Sequence, residues 1–128
     1  MISDATVGAF LRGYRSSFDD FTGVAMAAHY HLPSVLTRAD GSVHCLSNAE
    51  STRDVLAELI RTYFRQGARL WQYEDLCVVP IGSRSVLASV DWLMLDERRA
   101  LLKRWRHSYN LIESPDGLRI LAATFNVP

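Results

Sequence analysis

The sequence predicts an α+β fold, three N-terminal helices packed on one face of a curved, mainly antiparallel sheet. Two patterns carry that expectation. Up to Gly67 the apolar residues recur at helical spacing in three segments, interrupted by one short hairpin. After Gly67 the pattern changes to strands joined by turn-forming residues, and helices followed by a run of strands pack as layers of this kind. Size fits the same picture. The 128 residues, 48% apolar and 22% charged, suit one soluble globular domain spanning 1–128 with a single core.

The first helix is capped by Ser3 or Asp4, and Val7, Phe10, Leu11, Tyr14 and Phe18 follow on one face. "SSFDDF" breaks it and offers a new cap at Asp19 or Asp20. A short second helix, with Phe21, Val24 and Ala28 inward, is expected to end before Pro33. "SVLTRADGSVHCL" reads as two short strands around the turn "ADG". The third helix has the clearest signature. Ser51 stands as N-cap with an acid three residues on, Val55, Leu56, Leu59, Ile60, Tyr63 and Phe64 form the apolar stripe, and Gly67 sits at the C-cap. Four strands follow: "RLWQYEDLCVVP" and "RSVLASVDWLML" flank "IGS", and "ALLKRWRHSYNLI" and "LRILAATFNV" flank "ESPDG".

Charge and motif content exclude several function classes. Fourteen basic residues balance fourteen acidic ones, so the chain lacks the basic excess of nucleic-acid or anionic-membrane binders. "ERRALLKRWRH" is a hairpin tip with solvated charges, without the spacing of a base-stacking platform. A net charge of zero favours association into an oligomer. Cys45 and Cys77 lie far apart and outside any CxxC pattern, the default for reduced thiols of a cytoplasmic protein. The chain opens without a basic stretch leading into an apolar one, and no apolar run approaches the roughly 18 residues of a membrane span. No GxGxxG, P-loop or dense ligand set calls for a cofactor. His29 and His31 read as a partly exposed helix-end pair; a zinc site there would need help from His44 or Cys45.

The strand "KRWRHSYNLI" holds the most chemistry. Period-two alternation puts Trp105, His107, Tyr109 and Leu111 on one face and Arg104, Arg106, Ser108 and Asn110 on the other. Its turn to the preceding strand falls within Asp96–Arg99, which places Val90 roughly opposite Trp105, Ala88 opposite His107 and Val86 opposite Tyr109. With Trp92 these make one apolar face, which should meet the helices; any cavity opens there. His107 and Tyr109 are then its polar groups, near Tyr14 and Tyr30, and a few polar groups in an apolar concavity are what small-molecule sites look like. Asp91 and the arginines face solvent or a second subunit.

The segments "FLRGYRSSFDDF…AAHYHLPSVL", "ADG", "ESTRDVLAELIRTYF" and "SYNLIESPDGLRILA", taken in order, resemble the nuclear transport factor 2-like, or SnoaL-like, superfamily over nearly the whole chain. The resemblance implies a cone-shaped barrel and homodimers that often pack through the outer sheet. It does not imply one reaction, since related domains include isomerases, dehydratases, cyclases and proteins with no known activity. Compared with ketosteroid isomerase, Tyr14 fits the helix-one tyrosine that donates to an oxyanion. The window Ser108–Asn110 matches a second, carboxylic donor but carries Tyr109 instead, a phenol that still donates at pH 7. The family's carboxylate base falls on or near Arg38, which cannot accept a proton. Asp40, close by, is accounted for by its turn. Similarity to limonene epoxide hydrolase extends to one pair, Asp91 and Arg106.

Three functions follow as expectations. The first is a domain that binds a small hydrophobic molecule in its cone, without a cofactor, as a homodimer. Its ligand-binding residues would be Tyr14, Tyr30, Trp92, Trp105, His107 and Tyr109. The second is an isomerase-, dehydratase- or cyclase-type enzyme on a carbonyl or polycyclic substrate, with His107 as acid or base and Tyr14 and Tyr109 donating to an oxyanion. The third is a protein-association module, in which Phe10, Phe18, Tyr63 and Phe64 fill the space a ligand would take.

Overall fold

The computed structural model describes residues 2–127. Helix α1 (Asp4–Ser16) starts at Ser3, whose hydroxyl accepts from the Thr6 N–H at 3.1 Å. Its buried face carries Val7, Leu11 and Tyr14, and the stripe continues to Phe18 on a 3-10 turn, Ser17–Asp19.

The second helix is shorter than the sequence suggests, and it turns a different side inward. Only α2 (Val24–Ala27) is helical. Phe21, Val24 and Ala28 are exposed, while Met26 is buried and Ala27 packs on the core. Two local features rotate the segment. The Asp20 carboxylate accepts from the Thr22 and Ala25 N–H groups, so it caps α2 from a distance. Gly23, at φ +80°, lies flat against the third helix: a Cβ there would sit 2.3 Å from the Arg53 carbonyl oxygen and 2.9 Å from the Ala57 nitrogen. No other residue fits. The segment before Pro33, expected to be helical, is drawn into β1 (Tyr30–Thr37), where the Ile120 N–H donates to the His29 carbonyl at 2.8 Å. His29 therefore closes the approach to the strand and His31 lies within it, so the two are not a helix-end pair.

Strand β1 pairs antiparallel with β2 (Val43–Leu46) across the expected turn, where Asp40 accepts from the Ser42 N–H. Helix α3 (Ala49–Arg65) begins earlier than expected. Asn48, not Ser51, is its cap, accepting from the Ser51 N–H at 2.8 Å; asparagine caps as well as serine, and the extra residues continue the helix outward. Its C-terminus closes as the sequence suggests. Gly67 stands at φ +103°, its N–H donates to the Phe64 carbonyl, and the Ala68 N–H donates to that of Tyr63.

Strands β3 (Leu70–Ile81), β4 (Ser85–Leu95), β5 (Leu101–Ser114) and β6 (Gly117–Phe125) form the antiparallel meander. The sheet order is β2-β1-β6-β5-β4-β3, and β1 joins β6 in parallel. The sheet is thus mixed but mainly antiparallel. In the β4–β5 hairpin the register differs from expectation by two residues: Trp92 faces Trp105, Val90 faces His107, and Ala88 faces Tyr109. The loop is longer because Asp96 accepts from the Arg98 and Ala100 N–H groups, Arg99 takes φ +64°, and the ladder bulges between Met94 and Leu95. An even slip leaves every side chain on its face. The inner face of β4, with Val86, Ala88, Val90, Trp92 and Met94, is buried, and all but Met94 share one core with Val7, Leu11 and Tyr14 of α1 and Leu56 and Ile60 of α3.

Candidate functional site

A cavity of about 300 Å³ opens between the inner sheet face and the helices. Its floor is aromatic and buried: Tyr14 from α1, Tyr30 from the start of β1, Trp92 from β4 and Tyr109 from β5. Phe18, Met26, Leu36, Ile60 and Trp71 form the walls. The exposed and half-buried lining residues mark the mouth: Thr37 to Asp40 on one side, Thr62 and Tyr63 of α3 on another, and Lys103 on β5. Strand alternation aligns Lys103, Trp105, His107 and Tyr109 from mouth to floor.

All six residues expected at a ligand site line this cavity. They are joined in pairs. The Tyr14 and Tyr30 hydroxyls hydrogen-bond at 2.6 Å, the Trp92 indole donates to the Tyr109 oxygen at 2.8 Å, and the Trp105 indole donates to His107 Nδ1 at 3.2 Å. His107 stacks on Tyr109 with centroids 4.8 Å apart, and Tyr14 meets Tyr109 edge-on at 5.7 Å.

Burial sets the protonation of these groups. It pushes the Tyr14 and Tyr109 phenols well above their ordinary range and Tyr30 up to about 12, so all three are neutral. Desolvation pulls His107 down to about 4, so its imidazole is uncharged at neutral pH. An indole only donates, so His107 Nδ1 must be the acceptor and Nε2 carries the proton. The direction of the remaining protons follows. Among the described residues, neither the Tyr109 hydroxyl proton nor His107 Nε2–H has an acceptor, and the Tyr14–Tyr30 pair uses only one of its two phenolic protons. The floor is a cluster of hydrogen-bond donors in an apolar setting.

Other sequence candidates lie elsewhere. His29 Nδ1 donates to the Ala25 carbonyl at 2.8 Å, and its ring packs edge-on against Phe10, off the cavity lining. His31 pairs with the Pro33 carbonyl and His44 with Ser42. Among the described residues, no three His, Cys, Asp or Glu side chains stand close enough together to hold a metal. Asp91 does pair with Arg106, at 2.9 Å, and with Arg104, at 2.8 Å, but on the sheet face turned away from the cavity. Hydrogen bonds from Arg106, and then from Arg104, hold its carboxyl below the usual range. Both cysteines are free and exposed.

Sequence reasoning missed the mouth. Lys103 shares the parity of Trp105 and His107, a signal that extends the cavity face two residues further. Tyr63 and Phe18, which fill this space in the association-module reading, line the cavity without closing it. Arg38, first noted as an unsuitable base, carried no pattern that aimed it at the site.

No curated protein matches the chain. Solved structures that superpose on it share the fold at low identity. Aln2 from a Streptomyces species has a TM-score of 0.75 and 17% identity over 96% of this chain and 89% of its own. A variant of a Mycobacterium tuberculosis protein of unknown function, Rv3472, has a TM-score of 0.70 and 16% identity over 95% and 69%. A candidate dehydratase of the NTF2-like family from Streptomyces avermitilis has a TM-score of 0.72 and 9% identity over 97% and 94%. A family model described as NTF2-like protein (DUF6841) matches residues 3–126, nearly the whole chain, and the chain belongs to that family.

Proposed function

We propose that this protein binds a small, largely apolar molecule through an acceptor oxygen seated on the cavity floor. One observation carries the reading: donor protons of Tyr109, His107 and the Tyr14–Tyr30 pair are left without protein acceptors in an apolar cavity. Each proton left without a protein acceptor in an apolar cavity offers a ligand acceptor a hydrogen bond that the protein does not supply. The volume equals that of on the order of ten waters, taking roughly 30 Å³ for each, room for a small organic molecule. His107 serves as a donor and not as a base, because Trp105 occupies its other nitrogen. Binding is favoured over isomerase or dehydratase chemistry for a related reason. The one carboxylate on the lining, Asp40, sits at the rim and accepts the Ser42 N–H of its own turn.

The protein acts as a homodimer in this proposal, through the outer sheet. Cross-strand pairing sets Val79, Leu87, Asn110, Ala122 and Val35 in one row there, and Val79, Leu87 and Val35 are exposed.

A thermal-shift screen with small aromatic carbonyl compounds and phenols tests the binding reading, comparing wild type with Leu59→Trp, which plugs the cavity from a half-buried site on α3. Binders should raise the wild-type midpoint and leave the plugged variant unmoved. Equal shifts in both proteins, or none in either, would reject the cavity as the site. Sedimentation of wild type and Leu87→Glu tests the dimer; a monomeric wild type rejects it.

A further inference from the structure

The mouth of the cavity differs from its floor in charge. Arg38 and Lys103 both line it, and neither enters an ion pair among the described residues. Lys103 is the only lysine in the chain, and strand parity directs it to the cavity face. Arg38 follows the end of β1 at the rim and lies close enough to the Tyr63 phenol for its charge to act there. The third charged group of the lining is Asp40, whose carboxylate accepts the Ser42 N–H within its own turn and lies within reach of the Arg38 charge. The rim thus holds two cations against one acid already satisfied by its turn. Elsewhere on the same strand, Arg104 and Arg106 are paired with Asp91.

We infer that the ligand is an amphiphilic organic anion, an aromatic carboxylate whose ring lies among the tryptophans, whose charged end sits between Arg38 and Lys103 and whose far end carries the oxygen that accepts from the floor. The inference rests on the proposed binding function and adds the ligand's charge and orientation. A carboxylate is the group that two cations flanking an apolar opening recognise, arginine by a two-pronged donor geometry and lysine as a point charge. An aromatic body fits because Trp71, Trp92 and Trp105, all the tryptophans of the chain, present rings to the cavity.

The test compares 6-hydroxy-2-naphthoate, whose hydroxyl oxygen can reach the floor, with its neutral isostere 6-hydroxy-2-naphthamide by calorimetry. The proteins are wild type, Arg38→Gln, Lys103→Gln and the double variant, each checked for native circular dichroism. For wild type at low salt, the naphthoate should bind about tenfold or more tightly than the amide. The advantage should shrink about three- to tenfold in each single variant, vanish in the double variant, and weaken with added salt, while amide affinity stays constant. Lys103 also offers a direct reporter. Reductive ¹³C-methylation keeps its charge, and its single side-chain resonance should shift with the naphthoate but not with the amide. Equal affinity for both probes in wild type overturns the anion inference and leaves the cavity reading standing. An advantage that survives in the double variant overturns the role of these two residues. Binding of neither probe overturns the inference and the proposed function together.

Discussion

The two faces of β4 and β5 are built from alternating residues of the same strands, yet they handle polar groups in opposite ways. On the outer face Asp91 is held by Arg104 and Arg106, Arg104 also reaches Glu74 and Asp75, and Ser89 pairs with Ser108 at 2.7 Å. Those groups satisfy one another. On the inner face Trp92, Tyr109, Trp105 and His107 form donor-to-acceptor pairs whose last protons point to no protein acceptor. The contrast teaches where recognition resides: a network closed on itself supports structure, whereas one left open at its donor end awaits a ligand.

The comparison breaks most severely when the inner face loses its centre. Trp92 is 2% exposed and supplies the indole that holds Tyr109. Trp92→Ala should cost about 3–5 kcal/mol in urea denaturation. A loss below about 1 kcal/mol would mean that the inner face is not the organising core.

Acid comes next. His107 sits at about 4 when folded, below the ordinary value of 6.5, so the unfolded chain takes up the proton first. Its contribution is whole above about pH 6.5 and is lost as pH falls toward 4, on the order of 3 kcal/mol at most. His29 is shifted the same way, chiefly by burial. His107→Gln, which keeps an acceptor for Trp105, should flatten the fall in stability across that window without abolishing it. An unchanged pH profile would show that His107 is not desolvated.

The outer face should yield the smallest effect. Arg106 is 37% exposed, and Arg104 remains on Asp91 when it is removed, so Arg106→Gln should cost less than about 1 kcal/mol. A loss comparable with that of Trp92→Ala would erase the distinction between the faces.

Sequence alone carried the inner face further than the rest of the site. Alternation along β5 is independent of an even slip in register, so Trp105, His107 and Tyr109 were readable as one wall although their cross-strand partners were off by two. The start of β1 was not readable, because Tyr30 is set by parallel pairing with Ile120 at the far end of the chain, which local periodicity does not record. The shortness of α2 follows from close contact of Gly23 with α3, another distant effect. Arg38 belongs to a turn, where no period tells which way a side chain faces. What was legible is local and periodic; the cap of α3 and the mouth of the cavity depend on single side chains.

The central claim, that the floor offers donors to a ligand, is tested most directly by ¹⁵N NMR of the histidine rings at neutral pH during titration with 6-hydroxy-2-naphthamide. His107 should be protonated at Nε2 alone, and that resonance should move with added amide. His29, whose Nδ1–H is committed to the Ala25 carbonyl outside the cavity, should stay fixed as an internal control. A His107 protonated at Nδ1, or an Nε2–H resonance that ignores the titration, would contradict the account.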